Sequence, residues 1–423
     1  MPRTGSRVTD PAPTRGTALE VLAVFTRLGL TSFGGPVAHL GYFRAEVVER
    51  RRWLDDREYA DLVALCQFLP GPASSQVGIG VGYRRAGVPG ALAAWVGFTL
   101  PSALALVAFA FGIAAVGDVA DAAWLRGLLI VAVAVVAHAV KGMAAQLTPD
   151  RPRVTVALLA AMAALVWVNT AAQVAIIAVG ALLGMTLLRD LETPRSGDRQ
   201  RIERRSTGAG RATGGLSRRA AATLLAVFAA LLVALPLARQ ATPDQGLAVA
   251  DAFYRTGSLV FGGGHVVLPL IRAEVVPAGW VDDATFIAGY GAAQAVPGPL
   301  FTFSAFLGAA TAPGAQGIWL AAVALVAVFV PSFLLVLGVL PFWETLRRRA
   351  GVRRALVGVN AAVVGLLLAA LYDPVATSAI RAPLDAALVL AAYLALAVWK
   401  LPPWLVVGLG AGTTALLGLL GVL

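Results

Sequence analysis

The same interrupted apolar segment occurs twice in this chain, about half its length apart, and this duplication limits the fold more than any other feature. The first copy reads FTRLGLTSFGG from Phe25 to Gly35, then YFRAEVV, WLDD and QFLPGP, ending at Pro72. The second reads FYRTGSLVFGG from Phe253 to Gly263, then LIRAEVV, WVDD and QAVPGP, ending at Pro299. Each copy sets paired glycines and a Pro-Gly-Pro inside otherwise apolar sequence. Broken helices at membrane depth are tolerated only where protein buries them or where they line a cavity. Duplicated, interrupted segments are therefore the best pointer in a sequence to a transporter's binding site.

Membrane depth itself follows from composition. The 423 residues are 58% hydrophobic and 13% charged, with a mean hydropathy of +0.78. Apolar runs such as Ala91–Val116, Leu128–Val140, Val154–Leu188, Ala220–Ala238, Ile318–Trp343 and Ala355–Tyr372 are of the order needed to span a hydrocarbon core of ~30 Å. The net charge of +11 does not indicate a nucleic-acid partner, because the excess is arginine in short loops, as the positive-inside rule predicts. A single cysteine, Cys66, excludes an intrachain disulfide and a cysteine-based metal cage. The first 16 residues lack the apolar core and cleavage site of a signal peptide.

Charge divides the chain and orients it. The segments are a polar tail, 1–16; a first repeat, 17–188; a basic linker, 189–219; an extra apolar helix, 220–238; and a second repeat, 246–423. The linker holds nine arginines against four acids, which places it in the cytoplasm. Arg3, Arg7 and Arg15 put the N-terminus on the same side. Arg44 to Arg57 and Arg84-Arg85 also belong inside, so the broken segments of the first copy enter and leave on one face, as re-entrant hairpins. The helix 220–238 has no counterpart before the first copy, and one added crossing turns the second copy over. Charge agrees: Arg272 to Asp283 carries one arginine against three acids. The expectation is an all-α polytopic membrane protein with an inverted-topology repeat and broken or re-entrant helices. It has about nine full crossings plus four broken segments, or about 13 if the hairpins cross fully, with the C-terminus outside.

A helix that starts at membrane depth has unpartnered N–H groups and a partial positive charge at that end, so an anion is its natural ligand. The candidate cargo-binding residues are Gly34, Gly35, Gly71, Ser74 and Ser75 in the first copy, with Gly262, Gly263, His265, Gly298, Thr302 and Ser304 in the second. Four such starts meeting at a pseudo-symmetric centre suit a compact, multiply charged oxyanion; helix kinks cut for packing are the structural alternative. Arg27 and Arg255 each precede the glycine pair by seven residues, about 10 Å along a helix, and intramembrane arginines are functional by default. Gln67 and Gln294, three residues before each Pro-Gly-Pro, read as buried amides that bind cargo or bridge helices. Arg44 with Glu46, and Arg272 with Glu274, recur as Arg-Ala-Glu. Two residues apart on a helix they do not face each other, so they reach separate partners at the mouths, as structural or gating groups. Trp53 and Trp280 are expected as interfacial anchors, and the acid pairs that follow them, Asp55-Asp56 and Asp282-Asp283, as helix caps. His265 either carries a coupled proton or caps a backbone group; His39 is expected in a loop. Asn360 is a mid-helix polar group that needs partners and has a possible place along the pathway. No zinc spacing, phosphate-binding GxxxxGK[ST] loop or Ser/His/Asp set occurs, so no cofactor, no metal and no enzymatic chemistry are expected.

The stretches SFGGPVAHLGYFRAEVVERRRWLDDREYADLVALCQFLPGPASSQVGIGVGYRRAG and VFGGGHVVLPLIRAEVV…GWVDD…GYGAAQAVPGPLFTFSAFLG resemble the chromate ion transporter (CHR) family in its long, two-domain form, over essentially the whole chain. The resemblance implies export of chromate across the prokaryotic cytoplasmic membrane, driven by an ion or voltage gradient and conferring chromate resistance, by halves of opposite orientation. Some relatives are linked to sulfate, and since both cargoes are tetrahedral dianions, size alone does not separate them. A passive anion channel is the alternative of another class. A homodimer is left open.

Overall fold

The computed structural model describes residues 16–33, 35–116, 123–167, 170–187, 216–260, 267–346 and 349–420. Among them all regular structure is helical. Five helices are long and apolar enough to cross a membrane: Ala73–Ala114, Ala123–Leu147, Arg218–Ala241, Gly314–Phe342 and Ala350–Ala379. The tail 1–15 and most of the linker lie outside the described residues.

The first copy opens with α1 (Ala18–Thr31), whose N-terminus is capped by Thr17 accepting from the Glu20 N–H at 3.1 Å. That helix ends at Ser32, whose N–H donates to the Leu28 carbonyl, and α2 (Gly35–Arg44) starts at Gly35, with φ +81°, and runs into a π-turn, Ala45–Arg50. Helix α3 (Asp56–Phe68) begins in a capping box of Asp55 and Glu58, which satisfies two of the orphan donors at its start. Pro70-Gly71-Pro72 then breaks the chain, and α4 (Ala73–Val116) follows in two limbs, divided at Ala86 and at Gly87, φ +67°. Thus the predicted crossing 91–116 is the second limb of a longer, bent helix.

Three helices close the first half: α5 (Ala123–Leu147), α6 (Arg151–Val166) and α7 (Thr170–Leu187). The run 154–188 is therefore two helices. The extra helix α8 (Arg218–Ala241) has Ala221 as its one buried residue, the signature of a helix facing lipid rather than a core. The second copy repeats the first: α9 (Gln245–Leu259), α10 (Val267–Val275), α11 (Asp283–Ala295) capped by Asp282, a 3-10 turn Leu300–Thr302, α12 (Phe303–Ala310) and α13 (Gly314–Val339). Helices α14 (Ala350–Ala370), α15 (Pro383–Ala397) and α16 (Pro403–Leu419) end the described chain.

Close approach through small residues holds these helices together, as expected where lipid removes the hydrophobic drive between helices. Gly29 of α1 lies against the Gly97 and Phe98 carbonyls of α4, and Gly257 of α9 lies against Val328 of α13. The two contacts occupy matching places in the two copies. Gly180 and Gly184 of α7, a GxxxG pair, face Gly358 of α14, where a Cβ would stand 2.7 Å from the Gly184 Cα. Gly358→Val is expected to lower stability in detergent by about 1–3 kcal/mol through overpacking, read as a lower thermal midpoint. Asn360 shares this helix, half-buried. At the other flank Arg126 of α5 forms a forked pair with fully buried Asp385 of α15, at 2.9 and 2.8 Å.

Candidate functional site

The broken segments of the two copies meet, and they bond reciprocally. The Gly71 N–H donates to the Val260 carbonyl at 2.6 Å, and the Gly298 N–H donates to the Ser32 carbonyl at 3.0 Å. Ser32 and Val260 hold the same place, directly before the Phe-Gly-Gly of their copies. Each Pro-Gly-Pro turn therefore docks on the end of the other copy's leading helix. Gly71 and Gly298 have φ of +118° and +103°, a region open to glycine. A Cβ on Gly71 would stand 2.6 Å from Gln76 Nε2 and 2.9 Å from Ser332 Oγ. One on Gly298 would stand 2.7 Å from Ser102 Oγ. Ser102 and Ser332 each follow a proline inside a long helix, Pro101 and Pro331, and each faces the turn of the other half.

Polar groups along this seam are unevenly satisfied. In the second copy the Thr302 hydroxyl donates to the Pro299 carbonyl at 2.7 Å and the Ser304 hydroxyl to the Phe301 carbonyl at 2.8 Å. In the first copy the hydroxyls of Ser32, Ser75 and Thr99 and the side-chain oxygen of Gln76 are buried with no hydrogen-bond partner. Gln76 is anchored only through Nε2, which donates to the Pro70 carbonyl at 2.6 Å. Buried polar atoms are nearly always paired, so the Ser75 hydroxyl and Gln76 oxygen at the start of α4 are groups that a polar guest would meet. Ser74 is buried too, and its hydroxyl lies 3.4 Å from His39 Nδ1. His39, expected in a loop, is a buried residue of α2. Hydroxyl groups and helix-start amides are neutral donors that suit an oxyanion.

Four open helix starts were expected; two of the relevant amides, Gly71 and Gly298, are instead bonded across the seam. Gly35 begins α2 with nothing within 4 Å of an added Cβ. Gly34, Gly262, Gly263 and His265 lie outside the described residues. Gln67, expected to be buried, is exposed on α3, because the last turn of that helix points this side chain away from the packed face. Gln294 is half-buried and hydrogen-bonds Tyr290.

The arginines define two further places. Arg27 pairs with buried Glu46, which also accepts from Arg51 Nε at 2.6 Å and from Arg50 at 3.4 Å. Burial raises the Glu46 carboxyl, but the Arg51 hydrogen bond and the charges of Arg27, Arg51 and Arg50 outweigh it and hold the group below its ordinary range. Arg255 binds two buried carboxylates: Asp251 at 3.0 and 2.9 Å and Glu274 at 2.8 Å from each of two nitrogens. Arg239 of α8 reaches Asp251 at 3.3 Å. The cavity here, about 540 Å³, is lined by Pro236, Arg239, Gln240, Asp251 and Arg255. Arg44 pairs with Asp56 and Glu49, and Arg272 forks onto Asp283 at 2.7 and 3.0 Å. Each Arg-Ala-Glu thus reaches separate partners, as its helical spacing predicts. Trp53, between Arg51 and Arg85 at 5.5 and 5.2 Å, is buried rather than a free anchor.

Sequence reasoning missed Gln76, Ser102, Ser332, Arg239 and Asp251. The repeated Pro-Ser at 101–102 and 331–332 was a visible signal for two of them. Asp251 and Arg239 have no counterpart in the first copy, so the repeat could not point to them. Among the described residues no group of His, Cys, Asp and Glu is placed to hold a metal.

A family model described as "Chromate transporter" matches residues 19–185 and again 247–416. The chromate transport protein of Pseudomonas aeruginosa is 29% identical over 89% of this chain and 85% of its own. That of Cupriavidus metallidurans is 28% identical over 85% and 82%, and a probable chromate transport protein of Synechococcus elongatus is 26% identical over 83% of each. No solved structure matches the chain.

Proposed function

The chain belongs to the chromate transporter family, and from that premise we propose that it is a secondary active exporter of chromate whose cargo binds at the seam between its two halves. The observation that carries this reading is the reciprocal bond pair, Gly71 to Val260 and Gly298 to Ser32, beside the unpaired buried Ser75 hydroxyl and Gln76 side-chain oxygen at the start of α4. Those two amides are donors that hold the halves together, and separation of the halves frees them for an anion. Ser74, Ser75 and, on the opposite side, Thr302 and Ser304 complete the wall.

The halves lie in opposite orientation in the cytoplasmic membrane, with the N-terminus inside and the C-terminus outside. The odd helix α8 between the copies and the reversed loop charge support this, giving about nine crossings plus the broken segments. The Arg27–Glu46 cluster then closes the cytoplasmic mouth, and the Arg255–Asp251–Glu274 cluster the external one. Rocking of one half on the other opens each in turn, the alternating access such repeats support. Sulfate fits the same neutral donors by shape, and resistance to chromate follows from export.

Proteoliposomes with pH and voltage imposed independently test the reading. Labelled chromate is expected to accumulate against its gradient and to be lost when an ionophore collapses the driving force. Flux that only runs downhill would make the protein a passive anion channel.

A further inference from the structure

A cavity of about 460 Å³ lies between the two halves and shares no lining residue with the Pro-Gly-Pro turns. The first half supplies Phe111, near the end of α4, and Leu125, at the start of α5. The second half supplies Ala288 of α11 with Phe306 and Ala309 of α12. Phe306 stacks on Phe303 at a centroid distance of 6.0 Å, so one wall is backed by a second ring. The polar lining is confined to Asp282, Thr285 and Thr311. Apolar walls with a few polar groups, at this volume, are the make-up of a small-molecule site.

Asp282 is the one charged residue of that lining. It caps α11, accepting from the Thr285 N–H at 2.7 Å and from the Thr285 hydroxyl at 3.2 Å. An ionised carboxylate has about four acceptor positions, so capacity remains after these two bonds. Its neighbour Asp283 is held by Arg272, whereas Asp282 pairs with no cation among the described residues. The Thr311 hydroxyl donates to the Leu307 carbonyl at 2.8 Å. The carboxylate is therefore the group that sets the charge of a guest.

The repeat shows which chemistry belongs in such a place. Counted from each Pro-Gly-Pro, Ala310 and Thr311 match Tyr83 and Arg84, Thr285 matches Glu58, and Asp282 matches Asp55. In the first copy Arg84 reaches Glu58 at 3.8 Å, and the Tyr83 hydroxyl accepts the Leu216 N–H at 3.0 Å. There the chain itself provides a ring and a cation beside an acidic helix start. In the second copy alanine and threonine stand at those two positions, while the capping acid remains. We propose that the cavity binds a small organic cation with an aromatic body, its charge on Asp282 and its ring against Phe111 and Phe306. A guest there touches helices of both halves, ties them together and slows transport; this second part rests on the transport reading above.

Phenylbutylamine, phenylbutanol and phenylbutyrate share one body and differ in charge. Calorimetric titration of the full-length protein in nanodiscs, with the heat of empty nanodiscs subtracted, compares them. The amine is expected to bind about 3–5-fold tighter than the alcohol, the range of an exposed ion pair, and the carboxylate weakest of the three. Asp282→Asn keeps the helix cap and is expected to remove the amine's advantage. Ala310→Tyr places the first copy's ring in the cavity and is expected to weaken binding about 10-fold, the loss of about two buried methylenes. Alcohol bound as tightly as amine would make this a plain apolar pocket and overturn the charge assignment. Absence of saturable binding, or unchanged affinity in Ala310→Tyr, overturns the site. The three probes on the wild-type protein decide even where a variant fails to reach the membrane. In proteoliposomes at equal pH on both sides, saturating phenylbutylamine is expected to lower the maximal chromate rate several-fold with KM unchanged. An unaltered rate overturns the tie between the halves. Absence of chromate flux before any amine is added would instead remove the transport reading, with the binding results still standing.

Discussion

Gly71→Ala and Gly298→Ala proteins are expected to reach the membrane and to lose chromate transport by two orders of magnitude or more. Both positions hold φ above +100°, where a side chain costs about 1–3 kcal/mol in backbone strain. The added methyl also collides with the opposite wall of the seam: Gln76 Nε2 and Ser332 Oγ at Gly71, and Ser102 Oγ at Gly298. Overpacking of that kind adds about 1–3 kcal/mol. The two together come to roughly 2–6 kcal/mol, and the middle of that range corresponds to about 10³-fold. Gly41→Ala is the control, because a Cβ there meets nothing within 4 Å on an exposed face of α2. Transport rates normalised to membrane protein should separate the three variants. Equal activity of Gly41→Ala and Gly71→Ala would show that the seam does not need its close approach.

Arg255→Ala is expected to be far more damaging than Arg27→Ala, although the two arginines occupy the same place in the repeat. Arg255 alone forks onto both Asp251 and Glu274, which are 1% and 8% exposed, and Arg239 is their only other cation among the described residues. Its removal leaves a buried carboxylate without adequate compensation, which costs about 3–5 kcal/mol. Glu46 keeps Arg50 and Arg51 when Arg27 is lost, and Arg27 is itself 47% exposed. An exposed pair contributes about 0–1 kcal/mol. The measurement is membrane abundance together with thermal stability of the purified variants. Near-equal losses would mean that the two mouths are energetically alike, against the difference in their charge networks.

Much of this architecture was legible in the residues because its signals are local. The Phe-Gly-Gly of the first copy and both Pro-Gly-Pro turns mark the breaks after α1, α3 and α11, since glycine and proline act through the backbone of their own position. Asp55 and Asp282 read as caps from their spacing alone, and each accepts the N–H three residues on, at 2.7 Å. The two-residue spacing of Arg44 and Glu46 was enough to say that they reach different partners. What local signals could not provide was the depth and facing of single side chains. Gln67 sits in the same motif as Gln294, yet one is exposed and the other hydrogen-bonds a buried tyrosine. His39 looked like a loop residue because α2 is short and interrupted, and nothing nearby in sequence announces Ser74, 35 positions later.

The sequence by itself determined that the chain is helical, repeated, membrane-embedded and broken at four matched places, because hydropathy and backbone chemistry are written residue by residue. Only the tertiary structure decided that each Pro-Gly-Pro glycine amide is held by the opposite copy, and that, among the described residues, Ser75 and Gln76 at the start of α4 keep unpaired polar atoms. It also decided that the extra helix supplies Arg239 to Asp251. Those outcomes depend on which groups, hundreds of positions apart, share a dry interior, where each donor must find an acceptor or wait for a guest.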